Sequence, residues 1–161
     1  MNYLIVCALG YLASSFVGYW VHRALHDERS GIFYRSHMKH HLVLYPPGKM
    51  VSEKYREPLW HERGFALFTV PFLVIVTCLF ASVSLLNLPL GYACAITITI
   101  LVQGTINDVV HDAFHLKRSW LNKLPLFKSM RVRHLVHHVD MSKNYDIVGS
   151  VWDLIFGTSS S

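Results

Sequence analysis

Strongly apolar, uncharged sequence is confined to two stretches of this chain, residues 1–21 and 65–107. A bilayer-spanning helix needs about 20 apolar residues. The first stretch accommodates one span, about 2–21. The second accommodates two, about 65–86 and 88–106, joined by the tight turn Leu86-Asn87-Leu88-Pro89. A two-span hairpin preceded by a buried helix is the competing arrangement. Pro71 falls inside the second span, where loss of one backbone hydrogen bond predicts a kink.

The polar regions carry their own periodicity. Tyr19-Trp20 closes the first span with rings of the kind that settle at headgroup level, and the helix is expected to continue through His26. Asp27 to Gly31 reads as a turn, followed by a helix bearing Phe33, Tyr34, His37, His40 and His41 that Pro46-Pro47-Gly48 breaks. Segment 51–63, with Leu59, Trp60 and several charges, is predicted to lie along the interface. The third span runs without a breaker into Asn107, Asp108, His111, Asp112 and His115. Residues 118–133 interleave Trp120, Leu121, Leu124 and Phe127 with Lys and Arg, an interfacial amphipathic pattern. The last histidines follow on 131–138, and the apolar tail 146–157 runs into terminal serines.

Composition agrees with this reading. Of 161 residues, 52% are hydrophobic and 16% charged, too apolar for an ordinary soluble domain. All fifteen Lys and Arg lie in 23–63 or 117–143. With three spans both basic regions fall on one face, which the positive-inside tendency makes cytoplasmic, leaving the N-terminus outside. The fold expected is an all-α integral membrane domain over 1–161, with three transmembrane helices and a cytoplasmic helical cap (22–64 and 107–161). The formal charge of +5 is accounted for by topology and anionic lipid, and no nucleic-acid module is visible. Cys7, Cys78 and Cys94 are scattered in apolar sequence, which excludes zinc-finger and disulfide frameworks. The first stretch lacks the basic start and cleavage site of a secretory signal and reads as a retained span.

Ten of the eleven histidines form four clusters. His22/His26 and His111/His115 are HxxxH pairs; His37/His40/His41 and His134/His137/His138 are HxxHH. Residues three or four apart share a helix face, so each cluster offers two or three imidazoles to one point. A structural zinc needs about four ligands, whereas ten imidazoles can surround two ions with about five each. Imidazole suits iron, zinc, copper and nickel alike, so ligand type does not name the metal. Glu-x-x-His and HExxH are both absent, which argues against carboxylate-rich di-iron bundles and zinc metalloproteases. His61 belongs to no cluster. Asp108, Asp112 and Asp140 adjoin ligand positions and can accept the second ring N–H of a ligand or serve only as solvated or capping carboxylates. Asn107 is a weaker candidate for ligation or for holding a water.

The order HxxxH, HxxHH, HxxxH, HxxHH, interleaved with apolar spans, resembles the fatty acid hydroxylase/sterol desaturase superfamily of integral membrane enzymes. The tail is similar as well: His137-His138, Asn144-Tyr145, Trp152-Asp153 and Phe156-Gly157-Thr158 match the group's HH…NYG…WD…FGT ending, with Asp146 where glycine is usual. The resemblance implies two Fe ions held by His22, His26, His37, His40, His41, His111, His115, His134, His137 and His138, with zinc or another metal able to replace iron in isolated protein. It implies O₂-dependent hydroxylation of a lipid substrate, or desaturation or carotenoid-ring hydroxylation within the same chemistry, in the inner membrane or endoplasmic reticulum.

No GxGxxG or haem-binding module is present, so electrons are expected from a separate cytochrome b5-, ferredoxin- or rubredoxin-like donor. Lys117, Arg118, Lys123, Lys128, Arg131 and Arg133 offer it, or lipid headgroups, a basic surface. The chain is short for the group, leaving the substrate cavity open to lipid or completed by a second subunit in a homo-oligomer. Two rivals come from other classes. A membrane haem protein would hold its histidines within the spans, and a metal transporter would need ionisable ligands near the bilayer midplane.

Overall fold

The structure, a computed structural model, describes residues 2–56, 74–78, 80–82, 85 and 89–161. Most of the expected second span, with Pro71, and also His61 and the 86–88 turn lie outside the described residues; within that span 74–78 and 80–82 are helical. Among the described residues the fold is helical, with one isolated parallel bridge, Ser52 to Leu116.

Helix α1 spans Tyr3–Ala24, and its first turn is capped by the Asn2 side chain, which accepts the Leu4 N–H at 2.9 Å. It stops short of His26. The His26 N–H bonds to the Arg23 carbonyl and the Asp27 N–H to the Ala24 carbonyl, so the chain tightens instead of continuing. The Asp27 carboxylate accepts the Arg29 N–H and starts a separate 3₁₀ turn, Glu28–Ser30. Gly31, at φ +61°, turns the chain into α2 (Ile32–Lys39). The expected single helix through His41 is likewise modified: residues His40–Leu44 widen into a π turn closed by the Tyr45 N–H on the His40 carbonyl, 2.9 Å. Such widened turns recur at functional sites.

Helix α3 (Leu90–Phe114) is unbroken from apolar sequence through Asn107 and His111, ending at His115. A 3₁₀ turn (Trp120–Lys123) leads to α4 (Pro125–Val139), which has proline at its first position, where the missing N–H costs nothing. A short α5 (Val151–Ile155) follows. By length and apolarity α1 and α3 each suffice to cross a membrane.

These two helices run parallel in a fixed register. The Tyr3 and Tyr92 rings meet at 5.2 Å, Gly10 lies against Ile96, and the Ser14 hydroxyl donates to the Gln103 amide oxygen. A Cβ on Gly10 would approach Ile96 Cγ2 to 3.3 Å, so the helix backbones approach closely there. The same offset places His22 level with His111. Val110, Ala113 and Phe114 of the last turns of α3 form a buried apolar cluster with Leu121, Phe127 and Ile147, which packs α4 against α3.

Candidate metal centre

All four histidine clusters converge. His22, His37, His40, His41, His115, His134, His137 and His138 are buried, and His26 and His111 half-buried. They sort into two groups, each with its ligand nitrogens within 4.8 Å of one another: His22, His26, His37, His41 and His137 in one, His40, His111, His115 and His134 in the other. Each group draws on both halves of the chain; His26 Nε2 lies 3.1 Å from His137 Nε2, across 111 residues of sequence. His138 stands between the groups, its ring 4.1 Å from His41 and 4.7 Å from His115.

Backbone carbonyls set the ring orientations. The Nδ1–H of His22 donates to the Tyr145 carbonyl (2.6 Å), that of His137 to Lys143 (2.5 Å), that of His115 to Met50 (2.7 Å) and that of His138 to Tyr45 (3.0 Å). A carbonyl only accepts, so each Nδ1 carries the proton and each Nε2 is left with a lone pair facing the cluster. His22 Nε2 and His138 Nε2 are buried without a hydrogen-bond partner. The Met50 carbonyl is brought in by the Ser52–Leu116 bridge, in which Ser52 N–H bonds to the His115 carbonyl at 2.9 Å.

Burial, then the proximity of the other imidazoles, holds His37, His41, His134 and His137 well below the ordinary histidine value. Burial takes His138 to about 3 and His26 to about 4. At neutral pH these rings are uncharged, as metal ligation requires. The Nε2 atoms of His37 and His26, and of His134 and His115, approach to 3.0 Å, a spacing that needs a proton or a cation between them. The donor set therefore fits metal ions.

The remaining predicted residues are placed as follows. Asp112 Oδ1 lies 3.9 Å from His111 Nδ1. Asp140 sits in an exposed turn, where its carboxylate accepts the Ser142 N–H and hydroxyl. Asp108 is half-exposed on α3. Asn107 lines a small polar pocket with Ser15, Tyr19, Gln103 and Asp146. Of the six expected surface cations, Arg131 is turned inward onto the Phe114 and Leu116 carbonyls at 3.0 and 2.9 Å. Arg133 pairs with buried Asp153 at 2.8 Å. Lys117 and Arg118 face Glu53.

Sequence reasoning passed over Tyr45, Asn144 and Asp153 as parts of the site. Tyr45 is fully buried, with its ring stacked on His115 at 4.0 Å. Asn144 has φ +53° and bonds to the Arg133 and Ser160 carbonyls. Nothing local distinguishes Tyr45; the only signal for Asn144 and Asp153 is their place in the tail similarity.

Two apolar helices of membrane-spanning length with ten imidazoles gathered at one end define a helical protein with a histidine-rich candidate metal site. The chain belongs to the fatty acid hydroxylase family, which it matches over residues 7–158. It is 28% identical over 148 residues to the very-long-chain aldehyde decarbonylase GL1-4 of Oryza sativa, covering 89% of this chain and 22% of that protein. A similar likeness, 28% over 148 residues, covering 89% of this chain and 21% of the relative, holds for the very-long-chain aldehyde decarbonylase CER1 of Arabidopsis thaliana. The chain thus spans about a fifth of the length of the curated relatives it matches. No solved structure matches it.

Proposed function

We propose that this chain is an O₂-dependent di-iron oxidoreductase that hydroxylates a membrane lipid, a fatty acyl chain, sterol or related molecule. The observation that carries the reading is the convergence of nine imidazoles into two adjoining groups, with His138 between them, at one end of two parallel apolar helices. Two irons held there supply oxygen activation. In hydroxylation one oxygen atom enters a C–H bond and the other leaves as water, consuming two electrons and two protons. The electrons come from a separate cytochrome b5-, ferredoxin- or rubredoxin-like donor.

The protein's own residues do the rest. Carbonyls of Tyr145, Lys143, Met50 and Tyr45 fix the imidazole orientations, and burial keeps bulk water from the site. An apolar cleft lined by Leu9, Gly10, Ala13, Val17, Ile96 and Ile100 lies between α1 and α3, beside the helices that deliver His22 and His111, and is suited to an aliphatic chain. Parallel spans require the intervening chain to recross the bilayer, which supports a third crossing at 65–86. The basic segments flanking the spans support a cytoplasmic site and an outside N-terminus. The single membrane domain then comprises residues 1–161, in the inner membrane or endoplasmic reticulum.

The names of the relatives favour a second reading, chemistry at the aldehyde end of a very long chain. Lipids extracted from cells with and without the gene separate the two by mass spectrometry. Gain of one oxygen atom supports hydroxylation and loss of two hydrogens indicates desaturation. Shortening of an aldehyde to a hydrocarbon supports the second reading. No lipid change, with no O₂ consumption by the iron-loaded protein, defeats both.

A further inference from the structure

One turn, residues 143–146, controls two histidines of the same group. Asn144, in the left-handed region at φ +53°, stands between Lys143 and Tyr145. The carbonyls on either side of it point in different directions, Lys143 to His137 Nδ1 at 2.5 Å and Tyr145 to His22 Nδ1 at 2.6 Å. Those rings come from α4 and α1, and their centroids are 4.6 Å apart. The turn thereby fixes the tautomer and tilt of two ligands that no shared helix aligns.

A buried carboxylate holds the turn. Asp153 is fully buried, and its oxygens accept from Tyr145 N–H (2.8 Å), Asp146 N–H (3.0 Å), the Thr158 hydroxyl (2.7 Å) and the Arg133 guanidinium (2.8 Å). Four donors saturate what a carboxylate can accept. Asn144 adds a clasp to the chain end: its Nδ2 donates to the Arg133 and Ser160 carbonyls and its Oδ1 accepts the Ser160 N–H. The other histidine group is steered from elsewhere, with His115 held by the Met50 carbonyl.

We propose that Asp153 is a positioning residue for one metal ion only, holding the 143–146 turn so that His22 and His137 aim Nε2 into the group they form with His26, His37 and His41. The inference rests on the two-ion reading of the site. Replacing an outer-layer partner of metal-bound histidine lowers metal affinity by about 10–100-fold, so the effect is measurable at a single ion.

The test is Co²⁺ titration of metal-free full-length protein in detergent, followed by visible absorption, for wild type, Asp153→Asn and Thr158→Val. Thr158→Val removes one donor to the carboxylate and is the milder variant if Asp153→Asn does not fold. The expected result is two ions bound by wild type. In the variants one ion keeps wild-type affinity and the other is weakened by about 10–100-fold for Asp153→Asn, less for Thr158→Val. A role limited to general stability would lower both affinities together with the melting temperature, and that outcome overturns the proposal, as does unchanged binding in the variants that fold. Wild-type protein binding fewer than two Co²⁺ would overturn the two-ion reading and this inference with it.

Discussion

The Tyr45 ring lies over the His115 imidazole with centroids 4.0 Å apart and planes 26° from parallel. The same residue's carbonyl takes the Nδ1–H of His138, and its hydroxyl accepts the Arg56 N–H at 2.6 Å. Tyr45→Phe keeps the stack and the carbonyl and should cost about 1 kcal/mol, the worth of one hydrogen bond. Tyr45→Ala removes a fully buried ring and should cost about 3–5 kcal/mol. Thermal melting and metal content in detergent would check both, with metal loss expected only for the alanine variant.

Asp146 gives a pH dependence of known sign. Its carboxylate accepts the Trp152 N–H at 2.9 Å and so caps α5, while burial and the nearby Asp153 charge raise its pKa to about 6. A carboxyl whose folded value lies above its unfolded one favours the fold while protonated, and that contribution is lost as pH rises through about 6. Asp146→Asn keeps an oxygen acceptor for the Trp152 N–H and removes the charge. It should be more stable than wild type at pH 8, by on the order of 1 kcal/mol after solvent screening, and no more stable near pH 4. Equal melting differences at both pH values would contradict the assignment.

At Gly10 the α1–α3 contact tolerates little. In Gly10→Ala the new carbon meets Ile96 Cγ2, the methyl on a stiff β-branch, at 3.3 Å and the Ile96 Cα at 3.6 Å, so the helices must part by a few tenths of an ångström and a small loss of stability with metal content kept is expected. Gly10→Leu overpacks the seam at about 1–3 kcal/mol and should lower metal content, because the register that aligns His22 with His111 passes through this point. Unchanged metal content in Gly10→Leu would count against that alignment.

His137 and His61 form the sharpest contrast. His137 is fully buried among His22, His26 and His41, with its Nε2 turned toward them. His137→Ala should lose bound metal and turnover together, whereas His61→Ala should retain most of both. Metal analysis after purification would sink the ligand assignment if His137→Ala remained fully loaded.

The histidine clusters were readable from spacing because three- and four-residue intervals survive in helices, and α3 delivered Asn107, His111 and His115 on one rod as expected. What spacing did not reveal was how each cluster leaves regular helix. His26 lies beyond the end of α1 because Asp27 caps a new turn, and His40 and His41 lie in a π turn ahead of Pro46-Pro47. The orienting acceptors were hidden for a different reason. Asp108, Asp112 and Asp140 were the visible acceptors, yet four rings donate to main-chain oxygens. Three of those are 65 to 123 residues distant, where side-chain type carries no information. Arg131 and Arg133 read as surface charge because the carbonyls and the carboxylate they satisfy are likewise set only by the tertiary fold.

The Tyr3–Tyr92 contact also makes the paired helices a ruler. Each tyrosine precedes the first histidine of its own helix, His22 or His111, by the same nineteen residues. At about 1.5 Å per residue that is close to 30 Å, the thickness of a bilayer's oily interior. Lengthening either rod by one residue would lift its imidazole and swing it by about 100°. An insertion or deletion in one rod must therefore be matched in the other to keep the two rings at a common depth.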